Sequence, residues 1–120
     1  MTVSELINKN EKTAFSFEVL PPVKGTGTSA LFSTIDALKE FGPEYINITT
    51  HRSEYVYVEQ PDGTYLRHFM RRRPGTVAVA SAIMQKYGIK VVPHVVVSGM
   101  TKEDIEYMLL DLQFLGIQDI

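Results

Sequence analysis

Three glycines set the frame for this chain. Gly42, Gly88 and Gly116 each follow a stretch with helical periodicity, and each is followed within three residues by a short apolar run. A glycine just past a helix ends it, because the chain must turn there through a backbone region that side chains disfavour. The runs after them, "YINIT" at 45–49 and "KVVPHVVV" at 90–97, read as strands. "FSFEVL", from Phe15, reads as an earlier one. The order is therefore strand then helix three times, with "IQDI" at 117–120 opening a fourth unit. Alternation of this kind predicts an α/β fold with a parallel sheet. Right-handed crossovers set successive strands side by side. Two architectures fit: an open doubly wound sheet, or part of a (β/α)8 barrel. A whole barrel takes about 200 residues or more. The 120 residues here would supply the N-terminal half of one, with the chain cut inside its fourth strand.

The helices are placed by caps and by periodicity. Residues 2–9 read as a short helix in which Thr2 and Glu5 have capping-box spacing. Ser29 is the expected cap of a helix to about Phe41, with Leu31, Ile35, Leu38 and Phe41 on one face. Thr76 is the expected cap of a helix to Tyr87. Thr101 and Asp104 resemble a second capping box, opening a helix with Ile105, Met108, Leu112 and Leu115 on one face. The connection from Thr50 to Gly75 is long. Within it, "EYVYVEQPDGTYLRH" alternates on both sides of a Pro-Asp-Gly turn and predicts a β-hairpin.

Composition excludes several classes. The chain is 44% hydrophobic and 22% charged with net charge −2, so no field favours nucleic acid or a membrane surface as partner. No apolar run approaches the roughly 20 residues of a spanning helix. The absence of cysteine removes disulfides, thiolate metal sites and thiol nucleophiles, and it suits a cytoplasmic protein. His51, His68 and His94 lack the spacing of a metal motif.

In either architecture, function gathers at the C-terminal ends of the strands. Glu18, Thr49 with His51, and His94 lie at those ends, and strand order brings the ends together. A carboxyl in an apolar pocket resists ionisation, so Glu18 is a candidate proton donor. The plainer role is a carboxylate paired with a buried arginine or with loop N–H groups. His94 follows Pro93, which marks a bulge or a strand near its end. Its plainer role is a core histidine bonded to a carbonyl. Arg71, Arg72 and Arg73 stand just before a helix N-terminus, which suits an anion, or else a solvated basic turn.

"FSFEVLPP", "YINIT" and "VVPHVVV" before a threonine-capped helix together resemble the opening of the methylenetetrahydrofolate reductase family. The likeness runs from about Phe15 to Ile120. It implies a (β/α)8 TIM barrel that binds FAD at the strand tips. It also implies NAD(P)H-dependent reduction of methylenetetrahydrofolate to methyltetrahydrofolate, in one-carbon and methionine metabolism. On the same likeness, the family's catalytic acid matches Glu18, and its flavin-contacting threonine and histidine match Thr49 and His94. The chain departs from the family after Thr49, where Thr50, His51 and the long hairpin replace an aromatic-glycine pair. His51 and Arg52 are candidates to take over contacts there. The family's Leu-Arg-Gly-Asp segment would fall beyond Ile120. A half barrel leaves an open sheet edge, so self-association, weak FAD binding and no activity are the expectations for the chain alone. The competing expectation is a free-standing α/β module that binds an anion through Arg71–Arg73, without catalysis.

Overall fold

The computed structural model describes residues 1–9, 11–50 and 54–120. The element order is α1 (Val3–Lys9), β1 (Ser16–Val19), α2 (Ser29–Leu38) with a 3-10 turn (Lys39–Phe41), and β2 (Tyr45–Ile48). Then come β3 (Glu54–Glu59), β4 (Tyr65–Met70), α3 (Thr76–Tyr87), β5 (Lys90–Pro93) and α4 (Lys102–Leu115). β1, β2 and β5 form one parallel sheet in that order. The expected α/β alternation and side-by-side strand order are both present.

Both crossover helices lie on the same face of this sheet. Leu31 and Ile35 of α2, with Val79, Ala80 and Ile83 of α3, pack in one cluster with Val19, Ile46, Ile48 and Val91. A doubly wound sheet puts helices on both faces. A sheet that grows in one direction with its helices on one side is consistent with part of a (β/α)8 barrel.

The predicted caps were partly right. Thr2 and Glu5 form a reciprocal capping box, at 2.7 and 3.2 Å. Thr101 and Asp104 form another, at 2.9 and 3.1 Å. Gly88 and Gly116 close α3 and α4 at φ 65° and 75°, conformations that cost a glycine little. Ser29 and Thr76 are not caps. Thr28 precedes α2 with helical backbone angles and no side-chain bond. Gly75, extended at ψ 151°, takes the cap position of α3. The Thr76 hydroxyl instead donates to the carbonyl of His94 at 3.0 Å.

Two strand predictions are corrected. The third parallel strand ends at Pro93 rather than Val97, because a helix-free loop begins at His94. Residues 117–120 form no ladder with β5. They are held by a side chain instead: Asp119 sits 3.1 Å from Lys90 Nζ and accepts the Val3 N–H at 3.0 Å. This ties α1 to the N-terminal end of β5.

The hairpin is present as predicted. β3 and β4 pair antiparallel from Glu54↔Met70 to Glu59↔Tyr65. Gly63 turns at φ 83°, and Asp62 accepts both the N–H and the hydroxyl of Thr64. Tyr55 and Phe69 pack edge to face at 5.5 Å, with Arg67 over the Tyr55 ring at 4.4 Å. No helix among the described residues is long and apolar enough to cross a membrane.

Candidate active site at the strand tips

Register decides which side chains share a face. Glu18 pairs with Asn47, and Asn47 pairs with Val92. Paired residues of a parallel ladder lie on one face, and the next residue along lies on the other. Phe17, Ile46 and Val91, with Val19, Ile48 and Pro93, therefore form the face under α2 and α3. Ile46 and Ile48 there are wholly buried. Glu18, Asn47 and Val92 form the opposite face. The last pair of each ladder is closed by the residue after it: Thr49 N–H donates to the Val19 carbonyl at 3.0 Å, and His94 N–H to the Ile48 carbonyl at 2.9 Å. Thr49 and His94 fall two residues beyond Asn47 and Val92 and one past the last paired residues, Ile48 and Pro93; continued pleating would set them on the Glu18 face. Adjacent strands lie roughly 4.8 Å apart, so Thr49 and His94, each following a residue of the last β2–β5 pair, leave the sheet at neighbouring points.

The expectation that Glu18 lies in an apolar pocket is overturned within these residues: its side chain is exposed. Phe17 and Val19, its apolar neighbours in sequence, point to the other face. Phe17 packs edge to face on Phe41 at 6.1 Å. Flanking apolar residues in a strand thus say what lies behind a carboxyl, not around it. Among the described residues, Glu18 has no ion-pair or hydrogen-bond partner.

The other candidates are held by the backbone around them. Thr49 Oγ1 donates weakly to the Val19 carbonyl at 3.4 Å. This leaves its lone pairs for a further donor. The His94 carbonyl accepts from Thr50 Oγ1 and from Thr76 Oγ1. Two hydroxyls from neighbouring segments therefore fix the turn on which the imidazole stands. The imidazole is half-buried and has no hydrogen-bond partner among the described residues. His51 and Arg52, the candidates in the following loop, lie outside the described residues.

The arginine run is largely structural. Arg73 donates its guanidinium to the Pro21 carbonyl, next to the buried ring of Pro21. The Arg72 carbonyl accepts the Lys24 N–H at 2.7 Å. Arg71 lies near Asp104 and adds to the effects that hold that carboxyl below its ordinary range. The run thus clamps the loop after β1 to the base of the hairpin. Sequence reasoning missed this clamp, and it missed Asn47 as the direct neighbour of Glu18. The signal for Asn47 was available, since it is the one polar residue in the first four of "YINIT".

Comparison with known proteins comes down on one side. The sequence model of "Methylenetetrahydrofolate reductase" matches residues 2–120. "Methylenetetrahydrofolate reductase (NADH) 1" of Arabidopsis thaliana is 25% identical over 114 residues, covering 95% of this chain. The chain spans 17% of that relative's length. A family match over nearly every residue, on a parallel three-stranded α/β sheet, allows one conclusion: the chain belongs to the methylenetetrahydrofolate reductase family.

Proposed function

We propose that residues 1–120 form the N-terminal part of a single (β/α)8 catalytic domain of a flavin-dependent methylenetetrahydrofolate reductase that uses NAD(P)H. The observation that carries this reading is the register of the parallel sheet, which brings Glu18, Thr49 and His94 to the same C-terminal end of neighbouring strands. Family membership supports it independently.

The residues of this face suit FAD by their chemistry. A flavin ring edge offers both donors and acceptors. Thr49 Oγ1 can donate or accept, and a neutral imidazole does one at each nitrogen. Val92, half-buried on the same face, and Leu20, at 44% exposure beyond β1, supply apolar surface beside them. Thr49 and His94 are the residues that would hold the cofactor. When bound, FAD supplies the two-electron chemistry that no side chain here can perform.

Glu18 has the proton work. Reduction of methylenetetrahydrofolate requires its five-membered ring to open to an iminium, and opening requires a proton on a ring nitrogen. A carboxylic acid on the same face as the cofactor contacts can donate it. Its position two residues short of the Thr49 row sets it back toward the sheet, roughly 8 Å from Thr49 by strand spacing and rise. That separation leaves room for a planar substrate ring between them. The enclosure Glu18 lacks here would come from the bound ligands and the rest of the barrel.

Stopped-flow measurement of Glu18→Gln in the complete enzyme tests the assignment. Flavin reduction by NAD(P)H should stay near the parent rate, while folate reduction should collapse. Equal loss in both half-reactions would remove Glu18 from the acid role. The alternative of a non-catalytic anion module gains no support from the arginine run, since Arg73 is spent on Pro21.

A further inference from the structure

Asn47 is the sheet residue whose type the fold does not explain. It stands within β2, the central strand, which is paired on both sides. Asparagine is depleted in strands, because its amide usually bonds nearby backbone in turns and at helix starts. Here the ladders take the backbone groups on either side. Ile46 and Ile48, before and after it, are wholly buried on the covered face, so packing there asks nothing of residue 47. Among the described residues, no hydrogen bond reaches the Asn47 amide.

The neighbours of Asn47 narrow what its amide can serve. Across the ladder toward β5 stands Val92, whose side chain has no polar atom. Along β2, Tyr45 and Thr49 lie two residues away, roughly 6.6 Å by strand rise. The Thr49 hydroxyl already donates to the Val19 carbonyl. Across the ladder toward β1 stands Glu18, directly opposite, at the roughly 4.8 Å spacing of adjacent strands. Both side chains leave the same face there, within reach of one another. Ladder register sets this juxtaposition, whatever the rest of the enzyme covers.

We propose that Asn47 is a positioning residue for the acid: its side-chain amide donates to one oxygen of the Glu18 carboxyl and so aims the other at the substrate. The inference rests on the acid role proposed above for Glu18. An amide suits this place because it is neutral. A lysine or arginine opposite Glu18 would favour the ionised form, which has no proton to give. The amide N–H can bond the carbonyl oxygen of the acid, leaving its hydroxyl for the substrate nitrogen. After transfer, the same N–H bonds the carboxylate. The other titratable groups on this face of β2 and β5 are Tyr45 and Lys90, at the far end of the strands, and the Lys90 ammonium is held 3.1 Å from Asp119. His94 stands past the end of β5.

Stopped-flow measurement of the two half-reactions in the complete enzyme tests this. Asn47→Leu should slow folate reduction on the order of 10²-fold, the cost of a misplaced reacting group, while flavin reduction by NAD(P)H changes far less. On a Glu18→Gln background, where no acid remains to be aimed, Asn47→Leu should add no further loss. Asn47→Asp, nearly isosteric, sets a second carboxylate opposite Glu18 and so makes the acid hold its proton to higher pH. The limb on which folate reduction falls as pH rises should therefore move upward. A limb unmoved in Asn47→Asp, a loss in Asn47→Leu shared equally by both half-reactions, or losses that multiply in the double variant would each overturn the proposal. Glu18→Gln alone separates the two claims: if it slows folate reduction selectively, the acid role stands even where Asn47 fails.

Discussion

The two faces of the β1–β2–β5 sheet are made from the same twelve residues and do different work. The face under α2 and α3 carries Val19, Ile46, Ile48 and Val91, all between 0% and 5% exposed. The other face carries Glu18, exposed, with Asn47 and Val92 half-buried. One residue of strand separates the two. The helix-covered face supplies the burial that holds the strands in register, and that register then fixes where the open face puts its polar groups. Stability and chemistry are thus divided by parity along each strand. A change on one face should leave the property of the other nearly untouched.

The sharpest way to break this comparison is to change one residue on each face. Glu18→Gln should lower folate reduction by about 10²–10⁴-fold, the usual worth of a positioned general acid. Its effect on unfolding free energy should stay within about 0.5 kcal/mol, as for other exposed substitutions. Ile46→Ala, next to it in the ladder but on the covered face, should cost about 2–5 kcal/mol in urea unfolding. A Glu18→Gln variant that unfolds as readily as Ile46→Ala would show that the carboxyl is structural. The third test is Thr76→Val, which removes one of the two hydroxyls on the His94 carbonyl. A buried bond of this type is worth about 1 kcal/mol, and the nearly isosteric change isolates it. Loss of FAD affinity beyond that of a surface control would indicate that the hydroxyl also positions the imidazole.

The smallest effect belongs to the α4 cap. The Thr101 N–H, and after it the Thr101 hydroxyl, hold the Asp104 carboxyl below its ordinary range. A carboxylate whose folded value is depressed stabilises the helix above its unfolded value, near about 3.9, and that contribution disappears as pH falls through the folded value. Titration of Asp104 by carbon NMR should therefore give a midpoint below the ordinary one. Thr101→Ala should move it upward. An unchanged midpoint would mean that the hydroxyl bond is not formed in solution.

Much of the fold was legible because it rests on local signals. The two capping boxes need only residues three apart, and the Pro-Asp-Gly turn needs only itself. What was missed depends on partners distant in sequence. Thr76 has the residue type of a cap, but its hydroxyl goes to His94, 18 positions away. The arginine run looks like an anion site until Arg73 is found on Pro21, 52 positions back. Glu18 was expected to be enclosed because its neighbours in sequence are apolar. Strand pleating sends those neighbours to the opposite face, so the same pattern that predicted burial of Phe17 and Val19 predicts exposure of the residue between them. The gathering of Glu18, Thr49 and His94 at one end of the sheet follows from strand order, and parity would set them on one face. Both were present in the sequence once the strands were placed.

The central claim is that one open face gathers the acid and the cofactor contacts. A crystal structure of the complete enzyme with FAD tests it most directly. The account predicts the flavin ring on the Glu18 side of the sheet, within hydrogen-bond distance of Thr49 Oγ1 or the His94 imidazole. A flavin bound elsewhere, with Glu18 turned away from it, would contradict the account.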